Sequence, residues 1–346
     1  IGSALAPLSN RLLRAPGAAF LSYKLLGISP QRRLPRFASP TFLQWLEKRN
    51  AKPQTQRRKD ERNAKTQRRK GQLTINQASP ASPTSPFLNS QFSILNSVVL
   101  FPDTFTNYNE PHIGIAATQL LERLGYRVLV PQRSLCCGRP MLSKGLLRQA
   151  KRLARAQLDW LAPYAGHGVP IVGLEPSCVL SFRDEYPDLL DDPRATALAG
   201  RALLLDEFLA AELERGAFDP ALLGSRDGRP ALLHGHCHQK ALSSSAHSLR
   251  LLSAAGYAAR EVDSGCCGMA GSFGYEAEHA DISLKMAERA LLPAVRAQPS
   301  DGVIVASGTS CRAQIAQATG RRVLHIAEAL QLNGATETQR RKDAKN

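Results

Sequence analysis

Ile171-Val172-Gly173-Leu174-Glu175-Pro176-Ser177-Cys178 is matched 133 residues later by Ile304-Val305-Ala306-Ser307-Gly308-Thr309-Ser310-Cys311. In each copy a short apolar run gives way to a turn and then to a Ser-Cys pair. A brief apolar run bounded by turn residues reads as a strand buried on both faces. Working outward, Cys136-Cys137-Gly138 precedes the first copy and Cys266-Cys267-Gly268 the second. Gly125-Tyr126 and Gly256-Tyr257 stand shortly before the two triplets. Cys237, upstream of the second triplet, completes the seven cysteines of the chain. An offset of 134 sets Asp103 opposite Cys237. The chain therefore reads as a duplicated module, with four thiols in the second copy and three thiols plus a carboxylate in the first.

Strands and helices alternate around these motifs. Val98-Val99-Leu100-Phe101 reads as a buried strand, residues 113–124 as a helix closed by Gly125, and Val128-Leu129-Val130 as the next strand. A helix over about 145–163, the strand Pro170-Ile171-Val172-Gly173 and a helix over 199–215 follow. The second copy repeats the plan. Its strands are Leu232-Leu233, 258–262 and Val303-Ile304-Val305-Ala306, and its helices lie near 246–255 and 277–292. Such alternation predicts an α/β fold of two tandem pseudo-repeated modules, each a small parallel sheet flanked by helices. In open parallel sheets the carboxyl ends of the strands share one edge, where ligands bind. Each candidate ligand follows a strand, so residues distant in sequence converge on one metal site per module. The expected boundaries are a helical connector over 1–50, a low-complexity basic and polar insertion over 51–97, module 1 over 98–216, module 2 over 228–332 and a disordered basic tail over 333–346.

The formal charge of +16 is confined to the flanks. Residues 1–50 and 51–70 each carry a net +7 and residues 337–346 a net +2, whereas 71–336 balance 24 basic against 24 acidic side chains. A neutral globular part argues against a specific nucleic-acid partner. Thr-Gln-Arg-Arg-Lys recurs at 55–59, 66–70 and 338–342, which reads as a low-complexity element. No signal peptide is evident in the first thirty residues, and no run of eighteen apolar residues occurs. An odd cysteine count with vicinal pairs fits metal or redox use in a reducing compartment. The expected location is cytoplasmic, with membrane contact at most peripheral.

Adjacent cysteines on a strand point to opposite faces, so two neighbours serve one centre only from a turn. Gly138 and Gly268 supply the permissive backbone. Vicinal thiols crowd a single zinc ion but suit a polynuclear iron–sulfur centre, for which four thiolates is the ordinary complement. Cys237, Cys266, Cys267 and Cys311 are thus the candidate ligands of a 4Fe-4S type cluster, with a non-cubane form as an alternative. Asp103, Cys136, Cys137 and Cys178 form a mixed set that zinc would also accept. Buried free thiols or a vicinal disulfide are the plain alternatives. His236 and His238, flanking Cys237, are candidates for supporting contacts, whereas His234 reads as a strand-end residue. Glu175 stands three residues before Cys178, where Gly308 stands before Cys311. Lys240, Arg139 and Arg312 read as solvated charges, the alternative being that they neutralise cluster charge or meet an acidic substrate. Gly268-Met269-Ala270-Gly271-Ser272-Phe273-Gly274 is spaced loosely like a dinucleotide loop, but two cysteines enter that turn, so it reads as a cluster cradle.

The doubled CCG triplet with its downstream Ser-Cys resembles the cysteine-rich CCG domain family. That family includes subunits of heterodisulfide reductase and of anaerobic glycerol-3-phosphate dehydrogenase, and the iron–sulfur subunits of lactate utilisation and glycolate oxidase. Leu100-Phe101-Pro102-Asp103-Thr104-Phe105-Thr106-Asn107-Tyr108-Asn109-Glu110-Pro111, Cys136-Cys137-Gly138-Arg139-Pro140 and Gly173-Leu174-Glu175-Pro176-Ser177-Cys178 look like the C-terminal part of large FAD-linked oxidases of the D-lactate dehydrogenase type. Leu26-Gly27-Ile28-Ser29-Pro30 and Arg33-Leu34-Pro35-Arg36-Phe37 resemble the connector after their ferredoxin-like domain. The resemblance implies an iron–sulfur electron-transfer portion of a 2-hydroxy-acid oxidoreductase of D-lactate or glycolate type. Its partners would be a flavin dehydrogenase and a ferredoxin-type domain or subunit, and a quinone or other electron acceptor. The chain carries neither a flavin domain nor a ferredoxin cysteine run, so FAD would belong to a partner or missing domain, and activity alone is not expected. Heterodisulfide-reductase-like thiol/disulfide catalysis and a structural zinc scaffold are the alternatives.

Overall fold

The computed structural model describes residues 2–15, 17–51, 96–133 and 135–331. Most of the stretch read as a polar insertion (52–95), together with the tail over 333–346, lies outside the described residues. Module 1 contains β1 (Ser97–Leu100), β2 (Arg127–Leu129), β3 (Ile171–Gly173) and β4 (Ala202–Leu204), in the order β2-β1-β3-β4. Module 2 contains β5 (Pro230–Leu233), β6 (Ala258–Glu261) and β7 (Val303–Val305), in the order β6-β5-β7. Every pairing between these strands is parallel, which requires a crossover connection between paired neighbours. Leu324 makes a parallel bridge to Val305 and takes the place in module 2 that β4 holds in module 1. The sequence reading placed Ala202–Leu204 at the start of a helix. A three-residue apolar run carries too little period to separate the two states, and pairing with β3 makes it a strand.

Alternation along the central strands sorts the core. Val98, Leu100, Ala231, Leu233, Val172 and Val305 join one apolar cluster shared by both modules. Their neighbours point the other way. Val99, Phe101 and Ile171 pack with Cys137 and Cys178, while Leu232 and Ile304 pack with Cys267 and Cys311. Successive side chains of a strand face opposite sides of the sheet, so one side welds the modules and the other builds the walls of each sulfur site. β1, β3 and β7 are buried along their whole length, and helices cover both faces.

The connector straps both modules together. Its helices are Ala6–Leu12, Ala18–Leu26 and Phe42–Ala51. Phe42 enters the shared core against the helix Pro111–Arg123, at Gly114, where a Cβ would lie 2.8 Å from the Phe42 ring. Between the helices, Ser29 N–H donates to the Tyr275 carbonyl at 2.8 Å and Ala277 N–H to the Gly27 carbonyl at 2.7 Å. The connector thereby clamps the loop that follows the second triplet.

Candidate metal centres

Module 2 gathers its four thiols at the carboxyl edge of its sheet. Cys237 opens the helix Cys237–Leu242 just after β5, and the triplet follows β6. Cys311 lies in the first turn of the helix Thr309–Thr319 after β7. The thiols are neighbours in series: Cys237 beside Cys266, Cys266 beside Cys267, and Cys267 beside Cys311. Cys267 and Cys311 are buried, Cys266 is half-buried and Cys237 is exposed. Gly268, at φ 88°, turns the triplet so that its N–H donates to Cys266 Sγ at 3.3 Å. A Cβ there would lie 2.2 Å from the Ser283 carbonyl oxygen, so glycine is required on two counts. Gln314, buried in the helix Thr309–Thr319, donates to the Cys267 carbonyl at 2.9 Å and holds the loop from behind.

Module 1 repeats the arrangement with three sulfurs. Cys136 meets Cys137, whose Sγ lies 3.3 Å from Cys178 Sγ. Cys178 sits in the first turn of the helix Pro176–Arg183, and Gly138 turns the triplet at φ 90°. Tyr186 OH donates to the Cys137 carbonyl at 2.8 Å, the support that Gln314 gives in the other module.

Strand register corrects the alignment at Asp103. Val99 pairs with Ile171 and Leu232 with Ile304, an offset of 133 on both strands. Asp103 therefore corresponds to His236, and Thr104 corresponds to Cys237. The capping geometry agrees. Asp103 Oδ1 accepts from Phe105 N–H at 2.9 Å and Thr106 N–H at 3.0 Å, and His236 Nδ1 accepts from His238 N–H at 3.2 Å. Each is the N-cap of the helix after its first strand.

The Cysteine-rich domain model, CCG, matches residues 100–183 and 232–316, which are the two modules just described. The chain belongs to the cysteine-rich CCG domain family. It is similar to the D-2-hydroxyglutarate dehydrogenase of Escherichia coli (strain K12), 31% identical over 237 residues, covering 68% of this chain and 22% of that protein. It is similar to the lactate utilization protein A of Bacillus subtilis (strain 168), 30% identical, with 67% of this chain and 98% of that protein covered. A subunit of the anaerobic glycerol-3-phosphate dehydrogenase of Escherichia coli (strain K12) is 27% identical over 68% of this chain and 59% of that protein. The chain thus spans less than a quarter of the hydroxyglutarate dehydrogenases that it matches.

The two CCG modules differ in the charge around their sulfur. In module 2, His234 and His236 face Cys311. The hydrogen bond from Cys267 holds the Cys311 thiol well below its ordinary range against its burial, and the two imidazoles add to that. His236 lies over Gly308, where a Cβ would fall 2.3 Å from its ring and 3.3 Å from Cys311 Sγ. A nitrogen of His234 and the sulfurs of Cys267 and Cys311 lie within 4.8 Å of one another. Nδ1 of His234 is 3.0 Å from Ser264 Oγ, while its buried Nε2 has no oxygen or nitrogen partner. A buried orphan nitrogen costs about 1–3 kcal/mol, which a cluster sulfur or a metal would relieve. The Cys/His set of this CCG module is chemically suited to metal or iron–sulfur binding.

In module 1 Asp103 takes the place of His236, Phe101 that of His234 and Glu175 that of Gly308, so carboxylates replace imidazoles near the sulfur. Asp103, pushed up to about 6 mainly by burial, and Glu175 both bear on Cys178. Although Cys137 donates to it, Cys178 is raised to about 11 by burial and by these two acids. Glu175 caps its own helix and also accepts from Thr309 N–H at 2.7 Å, so one side chain joins the starts of the two cysteine-bearing helices. His238 turns away from the thiols, toward Asp184 and Glu185. Arg139 pairs with Glu185, and Lys240 donates to the Ser264 carbonyl.

The sequence reading missed His234 and the true place of Thr104. His234 had a legible signal. It lies two residues after Leu232 and so faces the same side of β5, toward Cys267 and Cys311.

Proposed function

We propose that Cys237, Cys266, Cys267 and Cys311 hold a 4Fe-4S type cluster. In this reading the chain is the iron–sulfur electron-transfer portion of a 2-hydroxy-acid oxidoreductase. It would pass electrons from a flavin dehydrogenase and ferredoxin-type partner toward a quinone or other carrier. The observation that carries this reading is the meeting of four thiols, two of them vicinal, beside a buried imidazole at one sheet edge. The relatives' names supply the hydroxy-acid class. Such a cluster supplies one-electron chemistry over a wide range of potentials. The chain's own residues anchor it, screen its charge and cover its inner face. FAD belongs to the partner. Among the described residues no helix is long and apolar enough to cross a membrane. In this proposal the chain works in the cytoplasm, with membrane contact at most peripheral.

Anaerobic reconstitution with iron and sulfide tests the reading. The expected product has broad visible absorbance and an EPR signal on reduction by a low-potential dye. A folded sample that takes up stoichiometric zinc and no iron would decide for the scaffold alternative. Disulfide-reductase activity with a reduced dye would decide for the heterodisulfide-type alternative.

Arg32 of the connector should tune this cluster. Its guanidinium donates to Gln314 Oε1 at 2.5 Å and to Ser283 Oγ at 3.0 Å, and its charge bears on Cys267. Removing a positive charge near a cluster disfavours the added electron. Arg32→Gln is expected to lower the reduction potential, on the order of 50 mV for a unit charge acting through an effective dielectric near 20. A redox titration followed by EPR reads the shift, and an unchanged potential would remove Arg32 from this role.

A further inference from the structure

We propose that module 1 is built for a three-thiolate iron–sulfur centre whose fourth metal position, beside Thr104, is free of protein sulfur and takes a small exogenous thiol. This rests on the iron–sulfur reading above and extends it to the other module.

Two observations place Thr104 where module 2 has its fourth thiol. The strand register equates Thr104 with Cys237, and each residue opens the helix after the first strand of its module. Each also meets the first cysteine of its own triplet, Thr104 with Cys136 and Cys237 with Cys266.

Neither nearby carboxylate is available to complete the set. Both oxygens of Asp103 are engaged, Oδ1 by two backbone N–H groups and Oδ2 by Thr106 Oγ1 at 2.5 Å. Glu175 Oε1 accepts from Ser177 Oγ at 2.6 Å, and Oε2 accepts from Thr309 N–H. Among the described residues all seven cysteines are accounted for by the two sites.

A neutral threonine hydroxyl is a hard, weak donor and does not replace thiolate on iron. Cys137 and Cys178 are buried, whereas Cys136 and Thr104 are partly exposed, so the free position lies on the solvent side. The class of ligand follows from softness. Iron in a sulfur cluster favours sulfur over the hard oxygen of a carboxylate. A small thiol would bind as thiolate, releasing its proton to water.

An iron without a protein thiolate is also the one lost on oxidation. Ferricyanide, added as a one-electron oxidant, would take one electron from the cluster. One ferrous ion would leave, and a three-iron cluster would remain.

The test compares full-length chains reconstituted anaerobically and checked for native circular dichroism. Cys266→Ser/Cys267→Ser retains only module 1, Cys136→Ser/Cys137→Ser retains only module 2, and Thr104→Cys is added to the first. The module 1 protein should bind about four irons. Stoichiometric ferricyanide should then remove one of them and raise the EPR signal of a three-iron cluster. The module 2 protein and the Thr104→Cys protein should keep all their iron. 2-Mercaptoethanol should alter the EPR signal of the reduced module 1 protein and leave that of the Thr104→Cys protein unchanged. Reciprocally, Cys237→Thr should make module 2 labile, which serves if the module 1 protein folds poorly. Equal iron loss with and without Thr104→Cys, no iron at all in folded module 1 protein, or a Cys237→Thr module 2 that keeps its iron would each overturn the proposal. A module 2 protein without iron would instead sink the electron-transfer reading, independently of the result for module 1.

Discussion

Cys311→Ala is expected to weaken metal binding by module 2 a hundredfold or more while leaving the chain folded. Cys311 is 1% exposed and packs with Leu232, Ile304 and Ile315, so alanine fits the apolar wall that the thiol leaves. Truncating one buried sulfur should cost the apo protein about 1 kcal/mol, within the ordinary range for a small core deletion. The holo protein should lose far more. Four-ligand structural zinc sites bind with about 10–16 kcal/mol, and on that scale loss of one ligand removes about 3 kcal/mol or more, a hundredfold or greater in affinity. Iron per chain, visible absorbance and the melting temperature before and after reconstitution separate the two effects. Wild-type protein should gain stability on loading and the variant little, because a ligand that binds only the folded state stabilises it by mass action. Ser310→Ala, one residue away, should change neither quantity. A Cys311→Ala protein with wild-type iron content and absorbance would remove this residue from the centre.

Glu110→Gln should be the most destabilising single change at the seam between the modules. Arg312 is 8% exposed and Glu110 24%, with Arg312 Nη2 donating to Glu110 Oε2 at 2.5 Å and Thr309 Oγ1 to the same oxygen at 3.0 Å. Arg312 also donates to the Ala306 carbonyl at 3.1 Å and the Ser307 carbonyl at 2.7 Å, at the end of β7. Removing the carboxylate leaves a buried guanidinium with only Glu175 and Glu328 acting on it as counter-charges, which costs about 3 kcal/mol. For a domain of this size that is a fall of about 10 °C in melting temperature.

The pH dependence has a definite sign. Burial pushes the Glu110 carboxyl up, but Arg312 beside it overcomes this and holds it below its ordinary value. A lowered folded pKa adds stability above the unfolded value of about 4.3, and that stability is lost as pH falls through the folded pKa. The gap between wild type and Glu110→Gln, measured by urea unfolding, should be full near neutrality and shrink below about pH 4. A gap that is constant from pH 7 to pH 3 would show that the carboxylate charge is not what Arg312 needs.

Much of the site could be read before folding. Glycine after each vicinal pair implied a turn, and both glycines have positive φ. The apolar runs before Cys178 and Cys311 are the central strands β3 and β7. What escaped were residues whose role depends on register. The triplets are 130 residues apart but the strands 133, because the connecting loops differ in length. No single offset fits both, and the choice of 134 put a carboxylate where a hydroxyl belongs. An aspartate and a histidine cap their helices through the same kind of bond, yet nothing in their residue types announces the equivalence. The fourth strand was hidden for a related reason, since three apolar residues acquire a state only from the neighbour they pair with.

By itself the sequence determined that sulfur is supplied twice, in the order that a parallel α/β module needs, with thiols following apolar strands. It did so because strand burial and turn chemistry are local. Only the tertiary structure decided that the two sites are unlike: His234 and His236 on one side, Asp103 and Glu175 on the other, and Thr104 in the place of Cys237. Those identities depend on which side chains the pleat and the helix starts bring within a few ångströms. Electrostatics at that range follows position in space, which backbone pairing sets.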